Sequence, residues 1–150
     1  MRAQYRRGFS LIELLIVLAV IGILSAIAIP AANKQITLAR EQAAQRTITT
    51  IHQAETQYFA RYGRYAATLA ELGPPTTGEA GAGAANFISK DLAYGRKSGY
   101  IFTVAPSSEG YTVLAMPENT SCRSFFSDAT MVLRESTSKE PATASSPEIK

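Results

Sequence analysis

From residue 11 to residue 29 nearly every position is Leu, Ile, Val or Ala, and only Glu13, Gly22 and Ser25 interrupt the run. Its length is close to the ~20 residues that a membrane-spanning helix requires. After Pro30 the pattern changes. Residues 31–62 are rich in Ala, Gln, Glu and Arg, with no Gly or Pro before Gly63. Leu38, Ala44, Ile48, Ile51, Tyr58 and Tyr62 recur at helical spacing, while Arg40, Gln45, Gln53 and Gln57 take the opposite face. This period predicts an amphipathic helix laying one stripe on a core, with Gly63 as its stop. If residues 9–62 form one rod, its length is about 80 Å at 1.5 Å per residue.

The pattern then shortens. Residues 73–83 are Gly, Pro and small residues, which predicts an irregular loop. Alternating β-branched and aromatic positions predict strands over 99–105 and 110–116, joined by a turn at 106–110 and ended by Pro117. Shorter strands at 123–126 and 130–134 would complete an antiparallel meander of about four strands. The expected class is α+β, a long helix on a small sheet. Residues 136–150 are mostly Ser, Thr, Pro, Ala and Glu, with Lys139, Lys150 and one large apolar residue, Ile149, a composition expected to give an exposed flexible tail.

Charge orients the apolar run. Residues 1–8 hold Arg2, Arg6 and Arg7 and no acid, so the positive-inside rule keeps them in the cytoplasm and sends the rest across the membrane. A secretory signal peptide would have an apolar part of roughly 7–15 residues ending in a small-residue cleavage site. Here the run is longer, and the sharpest change of character precedes it, between Gly8 and Phe9. Glu13 inside the run is costly, about 2.5–3.5 kcal/mol at a bilayer centre and less near its edge, so an intramembrane acid signals function. An α-amino cation created by cleavage before Phe9 would have an unperturbed pKa near 8. Glu13, one helical turn on, could neutralise it on the same or a neighbouring chain, setting axial register more than adding stability.

Arg-rich leader, Gly8, Phe9, Glu13, apolar helix and Pro30 together resemble the class III signal of the type IV pilin and pseudopilin family. The resemblance implies cleavage between Gly8 and Phe9 by a prepilin peptidase that also N-methylates Phe9, and polymerisation through the retained helix. It divides the chain into a leader (1–8), a transmembrane and assembly helix (9–30), a globular pilin domain (31–135) and the flexible tail (136–150). Glu13 becomes the assembly residue, and Gly22 and Pro30 become points where the core helix kinks or melts. Tyr62 to Leu72 resembles the turn and short helix that follow the pilin rod.

The implied partners are copies of this chain in a helical filament, the peptidase, an inner-membrane platform with its ATPase, and lipid before assembly. The implied location is the inner membrane, single-pass with a cytoplasmic amino terminus, then a surface pilus or a periplasm-spanning filament. The alternatives are a type II secretion pseudopilin and a monomeric anchored binding domain.

Composition narrows the rest. Fifteen basic and 12 acidic residues give a net charge of +3, and removing Arg2, Arg6 and Arg7 brings it to zero, so no nucleic-acid partner is implied. Cys122 is the single cysteine and cannot close an internal disulfide; it is expected as a small buried residue. His52 has no metal partner in the pattern and is expected to face solvent or pack. Asp128 has only Ser127 and Thr130 nearby, too few oxygens for calcium. Gly78, Gly81 and Gly83 lack the strand and G-K-[ST] of a phosphate cradle. Asn119-Thr120-Ser121 fits the N-glycosylation pattern. No catalytic arrangement and no cofactor are expected.

Overall fold

The computed structural model describes residues 9–137 and 140–149, with the side chains of residues 27, 30 and 31 outside the described set. In chain order its elements are α1 (Leu11–Tyr62), α2 (Leu69–Leu72), α3 (Lys90–Ala93), β1 (Arg96–Lys97), β2 (Tyr100–Ser107), β3 (Gly110–Pro117), β4 (Ser124–Asp128) and β5 (Leu133–Ser136). The chain divides into two units, one up to Ile36 and one from Thr37 onward. Residues 11–36 of α1 lie in the first unit and residues 37–62 in the second.

In the first unit, Leu11, Ile12, Leu14, Leu15, Ile16, Val17 and Leu18 are all exposed, as are Val20, Ile21, Ile23 and Leu24. Consecutive helical positions point around the whole circumference, so this segment is apolar on every face. A surface of that extent calls for cover by lipid or by protein.

The second unit follows the alternation of its strands. The sheet is an antiparallel meander in the order β1-β2-β3-β4-β5. Tyr100, Phe102 and Val104 of β2, Tyr111, Val113 and Ala115 of β3, and Phe125 of β4 are buried. They join Ala44, Ile48, Ile51, Ala54 and Tyr58 of α1 in one core. Helix α1 ends where expected: Gly63 takes φ +71° and its amide donates to Phe59 O at 2.8 Å, the left-handed stop that suits glycine.

Four features differ from the sequence expectation. The strand β1 was not expected. It pairs with β2 across Ser98 and Gly99, both at positive φ, the backbone of a tight hairpin.

The strand expected at 130–134 begins only at Leu133. Asp128 Oδ1 accepts the Thr130 amide at 2.9 Å, and Met131 N bonds Asp128 O, so a turn takes up the intervening residues.

Leu38, placed on the buried stripe by its spacing, is 46% exposed, whereas Glu41 is buried and accepts from Arg123; the buried stripe starts about one turn later.

Within the stretch 136–150 expected as a free tail, residues 140–149 are docked. Ala142 is buried and its amide donates to Ser124 Oγ at 3.0 Å. Glu135 N bonds Pro147 O, and Ile149 N bonds Leu133 O. The segment 140–149 thus satisfies backbone groups of β5, which would otherwise be an open sheet edge. Polar composition concealed this because the attachment runs mainly through backbone.

Candidate functional site

The amino-terminal candidates lie in the first unit, except that Gly8 falls outside the described residues. Phe9 is 81% exposed just before the helix. Ser10 precedes α1, with Leu14 N bonded to Ser10 O at 3.3 Å. The Ser10 amide donates to Glu13 Oε2 at 3.0 Å. Ser10-Leu11-Ile12-Glu13 therefore forms one half of a capping box, in which an acid at the third helical position reaches back to a free amide. Within the single chain Glu13 thus has a local hydrogen-bond partner, a point that attention to charge alone missed although S-x-x-E is readable in the sequence. A carboxylate in the first turn also suits the positive end of the helix dipole.

A Cβ added at Gly22 would meet no atom within 4 Å. Among the described residues nothing requires glycine there. Position 30 lies within α1, and the Pro30 side chain is outside the described set. Among the described residues no helix is long and apolar enough to cross a membrane. Residues 11–26 are the uninterrupted part with described side chains, and insertion of residues 11–29 rests on the sequence.

The second unit holds polar clusters that sequence spacing did not reveal. Arg123, just before β4, donates from Nε (3.0 Å) and Nη2 (2.7 Å) to Glu41 Oε2, and its backbone amide donates to Glu41 Oε1 at 3.0 Å. Arg123 Nη1 donates to Glu135 Oε2 of β5 at 2.6 Å, and the Arg123 carbonyl accepts the Tyr100 hydroxyl at 2.8 Å. Burial would raise the Glu41 carboxyl, but the hydrogen bonds and charge of Arg123 hold it below its ordinary value. Cys122, beside this cluster, is half-buried against the core.

His52 belongs to the buried stripe. Its Nδ1 lies 2.6 Å from Tyr111 Oη and its Nε2 lies 2.8 Å from Ser127 Oγ. Because the Ser127 hydroxyl donates to Val132 O at 3.0 Å, it must accept from Nε2–H, which leaves Nδ1 to accept from Tyr111. Both nitrogens are satisfied in a neutral ring. Burial lowers its pKa, with the charge of Asp128 opposing.

Glu55, one turn further on, is fully buried. Its Oε2 accepts the Ala66 amide at 2.8 Å, and its Oε1 has no hydrogen-bond partner. On the rim, Glu71 Oε2 accepts from Arg64 Nη1 at 2.8 Å and faces the Tyr58 hydroxyl at 2.9 Å.

None of these clusters is arranged for reaction. Each acid or base is engaged in holding two elements together, and the open cleft of ≈ 450 Å³ lined by Pro74, Pro75, Lys90 and Tyr94 contains no carboxylate. Among the described residues no group of three or more His, Cys, Asp or Glu is placed to hold a metal ion.

Comparison with known proteins bears on the amino-terminal segment first. Residues 4–29 match the family model described as the prokaryotic N-terminal methylation motif. The chain is 40% identical over 67 residues to the Type IV major pilin protein PilA of Myxococcus xanthus (strain DK1622), covering 45% of this chain and 30% of that protein. It is 37% identical over 76 residues to a fimbrial protein of Neisseria meningitidis serogroup B (strain MC58), covering 49% of this chain and 44% of that one. The chain thus spans less than half the length of these curated relatives. No solved structure matches it.

Proposed function

We propose that this chain, a member of the type IV pilin family by its amino-terminal segment, is a structural subunit of a pilus-like filament and not an enzyme. The observation that carries this reading is a helix with bare apolar side chains on all sides over residues 11–26, lying within the segment 4–29 that matches the methylation motif. The cover it needs comes in two stages: lipid before assembly, then the same helix of other copies.

In the precursor, residues 1–8 stay in the cytoplasm and residues 11–29 sit in the inner membrane. A prepilin peptidase removes the leader after Gly8 and methylates Phe9. An inner-membrane platform driven by an ATPase then extracts the subunit into the growing fibre.

Freeing the Phe9 nitrogen places a cation four positions before Glu13. Within one chain Glu13 caps Ser10. In the fibre its carboxylate meets the Phe9 amino group of an adjacent copy, so that each incoming subunit stops at the same axial height. Gly22 lets neighbouring helices approach, and Pro30 loosens the helix where it leaves the apolar core.

The experiment is to shear cells, collect the released fibres and determine the amino terminus of their subunit by mass spectrometry. The expected result is long fibres whose subunit begins at N-methylated Phe9. Subunits that retain Met1 would reject processing. A processed subunit found only in the membrane fraction at native expression would favour the secretion pseudopilin instead.

A further inference from the structure

The one buried carboxylate oxygen without a hydrogen-bond partner among the described residues, Glu55 Oε1, lies directly beside the junction between α1 and the loop region. Glu55 Oε2 holds the Ala66 amide at 2.8 Å, and Ala66, Leu69 and Leu72 behind it are buried in the core. We infer that Glu55 is a proton-operated latch: neutral, it holds the turn at residues 63–66 and the following α2 against the helix, and ionised, it releases them. This rests on the second unit alone and stands whether or not the chain builds a pilus.

The surroundings decide the sign. The nearby titratable groups of its own helix are His52, whose neutral ring is already committed to Tyr111 and Ser127, Tyr58, whose hydroxyl is bound to Glu71 and the Ala82 carbonyl, and Tyr62, whose hydroxyl is buried. The turn supplies Arg64 and Tyr65, but Arg64 is paired with Glu71 at 2.8 Å. From α2, Glu71 is a like charge. From the sheet, β3 presents Tyr111, whose hydroxyl is bound to His52. Asp128 of β4 is a further negative charge, acting on His52.

An ionised Glu55 therefore gains one neutral amide bond and no free cation, while its second oxygen is bare. A buried charge in that condition is costly. The neutral acid avoids the charge and keeps the Ala66 bond. Opening the turn lets water reach the carboxylate.

Burial pushes the Glu55 carboxyl from its ordinary 4.5 up to about 7, against the Ala66 bond, with Glu71 raising it and Arg64 lowering it. The closed turn thus binds the proton more tightly than the open one. Closure is fully favoured at acid pH, weakens as pH rises from 4.5 toward 7, and levels off above that.

The test is hydrogen exchange of the Ala66 amide by NMR in the full-length chain in detergent micelles, at pH 5 and pH 8, beside Glu55→Gln. Dividing by the glutamine variant removes the ordinary pH dependence of exchange. Relative protection in the unmodified chain should fall on the order of 10- to 100-fold between the two pH values. Protection that tracks the variant at both would overturn the latch. If Glu55→Gln does not fold, the 13C carboxyl shift of Glu55 in the unmodified chain decides. A midpoint near 7 supports the proposal, and one in the ordinary carboxylate range, or no titration between pH 4 and 9, refutes it.

Discussion

Replacing Glu13 by valine should leave the chain in the membrane fraction and remove fibres from the shear fraction. Valine makes the run 11–29 more apolar, so insertion is not impaired. What it removes, if the proposed assembly holds, is the carboxylate that faces an amino group in an environment where a lone charge has no water. Breaking one partner of a buried pair costs about 3–5 kcal/mol, or roughly a hundredfold or more in the concentration needed for assembly.

Glu13→Gln separates this from helix capping. Glutamine can still accept the Ser10 amide as Glu13 does at 3.0 Å, since either residue completes a capping box, but it carries no charge. Both variants should insert and neither should assemble. Fibres from the glutamine variant in normal amount would show that capping, not pairing with the terminus, is what Glu13 supplies.

Replacing Arg123 by alanine should lower the unfolding free energy of the domain by about 3 kcal/mol, read from denaturant melts of the chain in detergent. Glu41 is 5% exposed and accepts three hydrogen bonds from Arg123, one of them from its backbone amide. Alanine keeps the amide and strips away the guanidinium, leaving a nearly buried carboxylate without its cation. The partial exposure of Arg123, 34%, puts the expected loss at the lower end of that range. The same change frees Glu135, so β5 and the docked segment 140–149 should loosen first. An apolar pair, Arg123→Met with Glu41→Leu, should recover most of the loss, because it removes both charges together. A single substitution as mild as a surface ion pair, below about 1 kcal/mol, would mean that the cluster adds little to the fold.

Local patterns in the sequence predicted local structure well, and missed what depends on contacts between distant residues. The long helix, its stop at Gly63 and the β2–β3 hairpin follow from periodicity and turn residues a few positions apart. The buried polar residues do not. Glu41 and Arg123 are separated by 82 positions, and His52 meets Tyr111 and Ser127 across 59 and 75.

One signal was present in the helix itself. The step from Ile51 to Glu55 to Tyr58 puts an acid on the apolar stripe, with His52 beside it. Read strictly, that pattern predicts buried polar groups needing partners elsewhere. The strand β1 rests on a single Ser98-Gly99 turn, too little for a pattern to register. At the amino terminus, charge, aromatic residue, acid and apolar run lie within a few turns of one another, which is why the family resemblance is strongest in that segment.

The arrangement of helices inside the assembled fibre tests the central claim most directly, and a cryo-EM reconstruction of sheared fibres at side-chain resolution would show it. Residues 11–26 of neighbouring copies should pack against one another along the fibre axis, with each Glu13 carboxylate about 3 Å from a Phe9 amino group of an adjacent subunit. Helices held apart from one another, or Glu13 carboxylates turned to open solvent, would contradict it.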